Sequence, residues 1–268
     1  MADSRVFIVM PAYNEEQNLP ALLPEVSRAV TDSGHEPEII VVNDGSEDET
    51  APVVEEIAKR LPVRLISHET NLGAPRAFMT GLRAATLDAG PENVIVLMEA
   101  DGTNDPALLP EMIRRIETGH DLVIGSRYLS GGSYSKFPVK RLLLSNVANA
   151  GLRFLFPIRG ASDYTIFYRA YRASILLEGF RVFGDSLIET HTFVCNTELL
   201  IKLNLIQTLR ISEVALVYRY DLKRGKSKMA VAKTIREYFS FIRHIRQVAK
   251  TTAARQRAGK NGDGLLKI

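Results

Sequence analysis

Three short segments of the sequence combine carboxylates with turn-forming residues directly after apolar runs, at residues 11–16, 43–46 and 99–103. Taken singly, residues such as Asn14 and Asp44 are good helix caps or turn residues. If the apolar runs are strands of one sheet, however, the three segments meet in one crevice. Like charges gathered in that way require a cation or a hydrogen-bonding ligand, so the pattern predicts a binding site.

Glu99 and Asp101 are the pair best suited to metal binding. Two acids separated by one residue at a strand end can turn toward the same hard cation, and phosphate oxygens with water complete the octahedron that Mg²⁺ or Mn²⁺ prefers. Such an ion would neutralise a leaving diphosphate, whereas the alternative is a solvated pair of loop acids. The sequence contains neither G-x-x-x-x-G-K-[ST] nor G-x-G-x-x-G, which argues against P-loop and dinucleotide chemistry.

The elements that would position these loops follow from hydrophobic patterning. Short β-branched runs alternate with longer segments of helical periodicity through the first half of the chain. This repetition, with continuous apolar strands, predicts an α/β fold whose mostly parallel sheet carries helices on both faces. Ligands of such sheets bind at the carboxyl ends of the strands. The predicted strands are residues 6–10, 39–42, 63–67, 94–98 and 122–125, and the predicted helices are residues 16–33, 47–60, 75–89 and 106–118.

Composition and length are those of an ordinary globular protein. The 268 residues are 46% hydrophobic and 24% charged, which excludes intrinsic disorder, collagen and a small disulfide scaffold. The single cysteine, Cys195, permits neither an internal disulfide nor a thiolate zinc site and fits a reducing compartment. Because no signal peptide is evident and no apolar stretch approaches the roughly 18 residues of a membrane span, we expect a cytoplasmic protein whose membrane contact is peripheral.

Charge divides the chain into two parts. Residues 1–222 carry 21 Lys and Arg against 29 acids, a net charge of −8, whereas residues 223–268 carry 13 against two, a net charge of +11. Apolar residues at helical spacing in the second part predict an amphipathic helix that packs on the body as core or lies on an anionic bilayer. Residues 251–268 are predicted to be a loose, disordered basic end, and no recognised module favours nucleic-acid binding. The predicted apolar face consists of Val231, Ile235, Tyr238, Phe239, Ile242 and Ile245.

Five segments of the sequence resemble, in their order and spacing, glycosyltransferase family 2, and within it the dolichol-phosphate (polyprenyl-phosphate) mannose synthases. The resemblance covers most of residues 5–228. It implies a GT-A, Rossmann-like fold formed by residues 1–222, followed in residues 223–268 by a basic lid loop, the amphipathic helix and the disordered end. The segments are Val9-Met10-Pro11-Ala12-Tyr13-Asn14-Glu15, Val42-Asn43-Asp44-Gly45-Ser46, Asn71-Leu72-Gly73, Met98-Glu99-Ala100-Asp101 and Gly125-Ser126-Arg127-Tyr128.

On the donor side, the resemblance implies a nucleoside-diphosphate sugar whose diphosphate is bound through Mg²⁺ or Mn²⁺ at Glu99 and Asp101. A ring suits the base because it stacks, and a carboxylate suits base or ribose groups because it accepts their hydrogen bonds. The residues implied to hold the base and ribose are Pro11, Tyr13, Glu15 and Asp44. A lid over the diphosphate, with cations that neutralise charge, is implied at Arg224, Lys226 and Lys228.

On the acceptor side, the resemblance implies a phosphate bound by Arg127, Arg141 and Ser145. Residues four apart on a helix face the same way, so Arg141 and Ser145 can present a guanidinium and a hydroxyl to one phosphate. For Arg127 alone the alternative is a surface ion pair. Asp163-Tyr164-Thr165 matches the family's segment beneath this site, and Glu198 is the candidate general base if the acceptor is a neutral hydroxyl.

The chain departs from the family pattern at several of these positions. Glu99 stands where the family commonly has an aspartate, and Thr103 where a glutamine often follows. Asn43 occupies a position where aspartate is frequent, and residues 71–76 replace a glycine-richer loop. These changes bear on metal geometry and donor identity, while the carboxylate of Asp101 is retained.

The hypothesis is therefore an inverting, metal-dependent glycosyltransferase that moves a hexose of mannose or glucose type from a nucleoside-diphosphate sugar to a polyprenyl or dolichyl phosphate. We expect it at the cytoplasmic membrane face, in contact with anionic lipid, with or without a membrane-anchoring partner subunit. The acceptor phosphate is already anionic, so positioning and leaving-group stabilisation suffice without a protein base. The alternatives are a glycosyltransferase with a soluble hydroxyl acceptor, a nucleotidyltransferase, and a sugar-nucleotide-binding protein with degenerate catalysis.

Overall fold

A computed structural model describes residues 5–222 and 231–262, with side chains described except at positions 140–141, 231–233 and 251–262. The strands are β1 (Arg5–Ala12), β2 (Glu36–Asp44), β3 (Val63–His68), β4 (Val94–Leu97), β5 (Leu122–Ser126), β6 (Ser133–Ser135), β7 (Arg169–Arg172), β8 (Ile211–Ala215) and β9 (Val217–Arg219). The helices are α1 (Leu19–Asp32), α2 (Thr50–Ala58), α3 (Ala74–Asp88), α4 (Leu109–Glu117), α5 (Val139–Leu155), α6 (Ala173–Phe183), α7 (Cys195–Ile206) and α8 (Val231–Gly262).

Seven strands form the main sheet, in the order β3-β2-β1-β4-β7-β5-β8. All neighbouring pairs are parallel except those of β7, which runs antiparallel to both β4 and β5. Consecutive residues of β1, from Val6 to Met10, are all fully buried, so both faces of the sheet are covered. This confirms the predicted mostly parallel, Rossmann-like α/β fold. The sequence did not predict β7, because its four residues, Arg169–Arg172, contain no β-branched side chain.

The loops after β1 and β2 are tied to each other by hydrogen bonds. The backbone N–H of Asn14 donates to Ser46 Oγ at 2.9 Å, and the N–H of Glu47 donates to Asn14 Oδ1 at 2.9 Å. The N–H of Glu15 donates to Thr50 Oγ1 at 2.8 Å. Because these polar groups are used between the loops, α1 begins at Leu19 and α2 at Thr50, each three residues later than predicted.

Close backbone packing fixes the same edge of the sheet. Gly45 has φ +66°, and a Cβ there would lie 2.4 Å from the backbone carbon of Thr70. Gly81 on α3 lies so near β1 that a Cβ would approach Val9 Cγ1 to 2.4 Å. The carboxyl end of β2 is therefore packed tightly against residues near position 70, and β1 is packed tightly against α3. Neither contact leaves room for the backbone to move.

Helix α8 packs against α7 by a face that differs from the predicted one. Thr234, Tyr238, Phe241 and Ile245 point to the body, whereas Phe239 is exposed. Glu237 sets this rotation, because its carboxylate accepts hydrogen bonds from the N–H of His191 at 2.7 Å and from the hydroxyl of Thr192. The core alternative for this helix is thus confirmed, and the inclusion of the exposed Ile235 and Phe239 in its packed face was wrong.

The described part of α8 continues past Thr251 to Gly262, so the predicted loose end does not begin at residue 251. Alanine, arginine and glutamine dominate residues 253–258, and these are strong helix formers. Residues 263–268 lie outside the described part of the chain. Among the described residues, no helix is long and apolar enough to cross a membrane.

Candidate active site

A cavity of about 440 Å³ opens where β1, β2 and β4 end, and α5, α8 and the segment before α7 complete its wall. The predicted strand-end loops therefore do converge. The structure brings together eight of the predicted site residues on this cavity, while their individual roles stay predictions. The eight residues are Pro11, Tyr13, Glu15, Asp44, Glu99, Asp101, Arg127 and Ser145.

Asp44 is both a cavity residue and the anchor of a neighbouring loop. Its buried carboxylate accepts hydrogen bonds from the N–H groups of Leu72 at 2.9 Å and Gly73 at 2.8 Å. Nδ1 of His68 lies 2.8 Å from the same carboxylate, and the other ring nitrogen lies 2.9 Å from Thr80 Oγ1. Asp44 thus holds in place the loop that departs from the family pattern and contributes to the cavity wall.

Glu99 and Asp101 follow β4 side by side and both line the cavity. Asp101 is nearly fully buried, and its Oδ1 accepts hydrogen bonds from the N–H of Thr103 at 3.1 Å and from its hydroxyl at 2.6 Å. The threonine that replaces the family's glutamine therefore orients the retained carboxylate.

The carboxylates of Glu99 and Asp101 are suitable ligands for a divalent ion, but they supply only part of its coordination. Oxygen donors at a buried, acidic edge suit a hard cation. Within the described residues, no group of three or more His, Cys, Asp or Glu side chains is arranged to hold a metal. An ion at Glu99 and Asp101 would consequently need oxygens from a bound diphosphate and from water to complete its coordination.

Arg127 forms a buried, bidentate ion pair and not the surface pair considered for it. Its Nε and Nη2 donate to the two carboxylate oxygens of Asp163, each at 2.7 Å, and Nη2 also donates to Thr165 Oγ1 at 2.7 Å. Burial alone would raise the pKa of Asp163, but the charge and hydrogen bonds of Arg127 hold that pKa below its usual range. Much of the positive charge of Arg127 is therefore compensated by the protein itself.

Aromatic rings enclose the guanidinium of Arg127. It lies 5.1 Å from the ring centre of Tyr134 and 5.8 Å from that of Tyr218. The hydroxyl of Tyr218 donates to Glu99 Oε2 at 3.4 Å. Burial, together with the charges of Glu99 and Asp101, raises the pKa of Tyr218, so the hydroxyl stays protonated. Tyr218 thus links the predicted metal carboxylates to the predicted acceptor arginine.

Ser145 and Arg141 lie on α5, one turn apart. Ser145 is half-buried and lines the cavity, and its hydroxyl hydrogen-bonds to Tyr134. The side chain of Arg141 is outside the described part. Arg224, Lys226 and Lys228 also lie outside the described residues, which stop at Leu222 before the predicted lid.

Glu198 does not line the cavity, and its role as a general base stays a prediction. It is fully buried on α7 and pairs with the ammonium group of Lys202 at 2.6 Å. Its other oxygen accepts the N–H groups of Glu189 and Thr190 and the Thr190 hydroxyl, at 2.7–3.0 Å. With both oxygens used in this way, Glu198 holds the start of the segment that includes the cavity residues His191 and Thr192.

Sequence reasoning missed an aromatic wall of the cavity. The rings of Phe78 and Phe167 stack with their centres 4.4 Å apart, and Phe193 contacts Phe167 edge-on at 5.5 Å. All three line the cavity. They come from α3, from the chain before β7 and from the segment before α7, so no local pattern could have connected them. Tyr218 and Tyr238 were missed as site residues for the same reason.

The fold and this site define the class of the protein: it has the GT-A fold of nucleotide-sugar glycosyltransferases. Its structure is similar to that of glucosyl-3-phosphoglycerate synthase from Mycobacterium tuberculosis in complex with Mn²⁺, uridine diphosphate and phosphoglyceric acid. The TM-score is 0.61 at 21% sequence identity, covering 84% of this chain and 72% of that one. At this level of identity the similarity establishes the fold alone.

The chain belongs to glycosyl transferase family 2, whose sequence profile matches residues 7–180. It is 38% identical over 178 residues to the polyprenol monophosphomannose synthase of Mycolicibacterium smegmatis, covering 64% of this chain and 63% of the relative. It is 31% identical over 248 residues to the dolichol-phosphate mannosyltransferase of Pyrococcus furiosus. That match covers 92% of this chain and 64% of the relative. The matched part is thus somewhat less than two thirds of each relative's length. The family resemblance stated from the motifs is confirmed.

Proposed function

We propose that this protein transfers a hexose, with inversion, from a nucleoside-diphosphate sugar to a polyprenyl phosphate. The observation that carries the proposal is the composition of one cavity. Carboxylates at the strand ends form one side of it, and Arg127 and Ser145 form the other. The names of the two curated relatives, a polyprenol monophosphomannose synthase and a dolichol-phosphate mannosyltransferase, support the same donor and acceptor classes.

On the donor side, Tyr13, Glu15 and Asp44 would hold the nucleoside, and Pro11 would shape its pocket. Glu99 and Asp101 would hold Mg²⁺ or Mn²⁺, which neutralises the charge that develops on the departing diphosphate. Thr103 keeps the Asp101 carboxylate turned to the cavity through two hydrogen bonds. Solved GT-A structures that contain Mn²⁺ or Mg²⁺ with uridine diphosphate support this assignment.

On the acceptor side, Ser145 and Arg141 would bind the phosphate on α5. A phosphate oxygen attacks the anomeric carbon, the bond from that carbon to the diphosphate breaks, and the electron pair leaves with the diphosphate. The nucleophile is already an anion, so no protein base is needed. Arg127, fixed by Asp163 at 2.7 Å, offers a rigid donor array without an excess of local charge.

Membrane contact would occur through α5. The helix includes three basic residues and no acid, as expected of a helix that lies on an anionic bilayer. Its opposite side contributes Leu144, Ser145 and Ala148 to the cavity, so a lipid phosphate can enter while its hydrocarbon stays in the bilayer. Its most exposed apolar side chains, spaced at 4, 4 and 7 residues, are Val139 (78% exposed), Leu143 (64%), Val147 (64%) and Phe154 (86%).

The proposal is tested by incubating the full chain in detergent with labelled sugar nucleotides, Mn²⁺ or Mg²⁺, and a polyprenyl phosphate. We expect organic-extractable labelled sugar with at least one donor, and none with Asp101→Asn. Label that appears on a soluble alcohol and never in the lipid fraction would contradict the proposed acceptor. Donor hydrolysis or binding with no transfer to any acceptor would contradict the proposed activity.

A further inference from the structure

Another cavity, of about 640 Å³, lies at the C-terminal end of α5 and is separate from the one described above. Its lining includes two arginines, Arg153 and Arg159, and the apolar side chains of Phe154 and Ile158, with Tyr164 behind them. None of its lining residues is acidic. The concavity therefore combines positive charge with apolar surface, which suits a ligand that has an anionic group next to a hydrocarbon part.

The charges of both arginines are uncompensated by the part of the chain that the structure describes. Arg153 and Arg159 are exposed and form no ion pair or hydrogen bond with any described residue. Several other exposed arginines are paired, for example Arg114 with Glu111 at 2.8 Å and Arg181 with Glu178. Arg153 and Arg159 thus place two unpaired cations on one concavity in a part of the chain, residues 1–222, whose net charge is −8.

The wall of the concavity is preformed. The hydroxyl of Tyr164 accepts the N–H of Ile158 at 2.9 Å and donates to the carbonyl of Phe156 at 2.7 Å. Gly160 has φ +86°, and a Cβ there would lie 2.6 Å from the carbonyl oxygen of Ile211 on β8. The turn that includes Arg159 is thus fixed on the sheet, which lowers the entropy cost of binding a ligand there.

The concavity adjoins the exposed apolar side of α5. Phe154 both lines it and ends the series of exposed apolar side chains. If α5 lies on a bilayer, Phe154 enters the acyl boundary, and the guanidinium groups beside it sit at the depth of lipid phosphates. Arginine forms strong paired hydrogen bonds with phosphate oxygens.

From this juxtaposition we infer that the cavity at Arg153 and Arg159 binds the phosphate headgroup of an anionic membrane phospholipid. The inference rests on the proposed membrane orientation of α5. This lipid is not the sugar acceptor, because the cavity is distinct from the one that includes Asp101 and Ser145. Binding at the end of α5 fixes the rotation of the helix on the bilayer and so directs the catalytic cavity to the lipid surface.

The test compares vesicle binding of the full chain with that of two matched double variants. Arg153→Ala/Arg159→Ala removes the proposed site, whereas Arg28→Ala/Arg60→Ala removes an exposed arginine on α1 and one just after α2 that pairs with Glu56 at 3.2 Å. Each surface arginine near an anionic bilayer contributes on the order of 1 kcal/mol, so the site variant should lose about 30-fold in partitioning to phosphatidylglycerol vesicles at physiological salt. The control should lose less than about twofold.

Several outcomes would overturn the inference. Equal losses in both double variants would indicate unspecific charge attraction. Equal binding of the unaltered chain to neutral phosphatidylcholine vesicles, or full release by millimolar inorganic phosphate, would exclude a lipid headgroup as the ligand. A sedimentation experiment in which the unaltered chain is dimeric and the site variant monomeric would assign the surface to a second copy instead.

Sugar transfer in detergent separates this inference from the proposed function. Both double variants should retain transfer to polyprenyl phosphate in micelles within about twofold, since neither alters the catalytic cavity. If no variant transfers sugar but the vesicle difference persists, the proposed function fails and the headgroup site stands. If transfer is intact and the vesicle difference is absent, the headgroup site fails alone.

Discussion

The two sides of the catalytic cavity are built in different ways. The proposed donor side consists of loops that leave neighbouring parallel strands, and the loops after β1 and β2 are tied to each other by hydrogen bonds such as that from the N–H of Asn14 to Ser46 Oγ. The acceptor side is assembled from α5, β9 and α8, and its contacts are mainly aromatic, centred on Arg127. The half proposed to bind the nucleotide is thus held by hydrogen bonds between loops, whereas the half proposed to bind the lipid phosphate is held mainly by aromatic contacts.

This contrast predicts that changes on the donor side act on chemistry, while changes on the acceptor side act first on stability or on acceptor binding. The largest effect is expected at Asp101. Asp101→Asn should lower kcat/KM by about 10³-fold and abolish Mn²⁺-dependent donor binding in calorimetry. Asp105→Asn is the matched control, because Asp105 caps the next turn through the N–H of Ala107 at 2.9 Å and does not line the cavity.

Retention of metal-dependent donor binding by Asp101→Asn would show that the donor side is not where the diphosphate lies. Loss of binding in Asp105→Asn as well would point to a disturbed loop and not to a lost ligand.

Next in size is the effect of breaking the buried pair of Arg127 and Asp163. Arg127→Ala leaves an uncompensated buried carboxylate and should destabilise the fold by about 3–5 kcal/mol, whereas Arg127→Met with Asp163→Leu should recover most of that loss. Urea unfolding of the variants measures both. An unchanged midpoint for Arg127→Ala would remove the basis for treating this half as held together by the pair.

The same pair has a pH signature. Because the pKa of Asp163 is lower in the folded protein, its ionised form stabilises the fold above its ordinary value, about pH 4, and that contribution is lost as pH falls through the lowered pKa. Unfolding of Asp163→Asn followed between pH 3 and 5 should therefore depend less on pH than unfolding of the unaltered chain.

A smaller, selective effect is expected on α5. Ser145→Ala should raise the acceptor KM about tenfold and Arg141→Ala by more, since a charged donor contributes more than a hydroxyl. The donor KM should change less than about twofold in both. Asn146→Ala, which alters an exposed residue that does not line the cavity, controls for helix damage. Equal shifts of both KM values would place the acceptor elsewhere.

The smallest effect on rate is expected at Glu198. Glu198→Gln should leave kcat within about threefold and the shape of its pH profile unchanged, while lowering the melting temperature because Lys202 loses a buried partner at 2.6 Å. Glu178→Gln, in an exposed pair with Arg181, should change neither. Loss of the acidic limb from the pH profile in Glu198→Gln alone would support the general-base hypothesis.

The sequence predicts the donor side well because its signals are local. Glu99 and Asp101 follow an apolar run, and Tyr13 and Asp44 do the same, so the sheet rule places them together. The acceptor side depends on contacts between distant segments, such as Arg127 with Asp163, 36 residues on, and Tyr218 with Glu99, 119 residues apart. Spacing cannot indicate such pairs.

Helix rotation was the other point at which sequence reasoning was incomplete. Hydrophobic periodicity identified α8 but not which residues it buries, since Phe239 and Phe241 are both apolar. The choice is made by a polar contact, that of Glu237 with residues 191–192. Periodicity also did not identify α5 as a helix that could contact a membrane. It favoured α8, whereas the exposed apolar side chains are mainly those of α5.

The hydrogen bonds that Glu237 accepts from His191 and Thr192 have a consequence for folding during synthesis of the chain. The nucleotide loops are complete once the ribosome has passed Thr103, but the cavity wall also requires Thr234, Ile235 and Tyr238. A nascent chain can therefore fold its nucleotide half early, as domains that form during translation do, and still lack a closed acceptor half. Closure of the cavity wall therefore waits for the emergence of α8 from the exit tunnel.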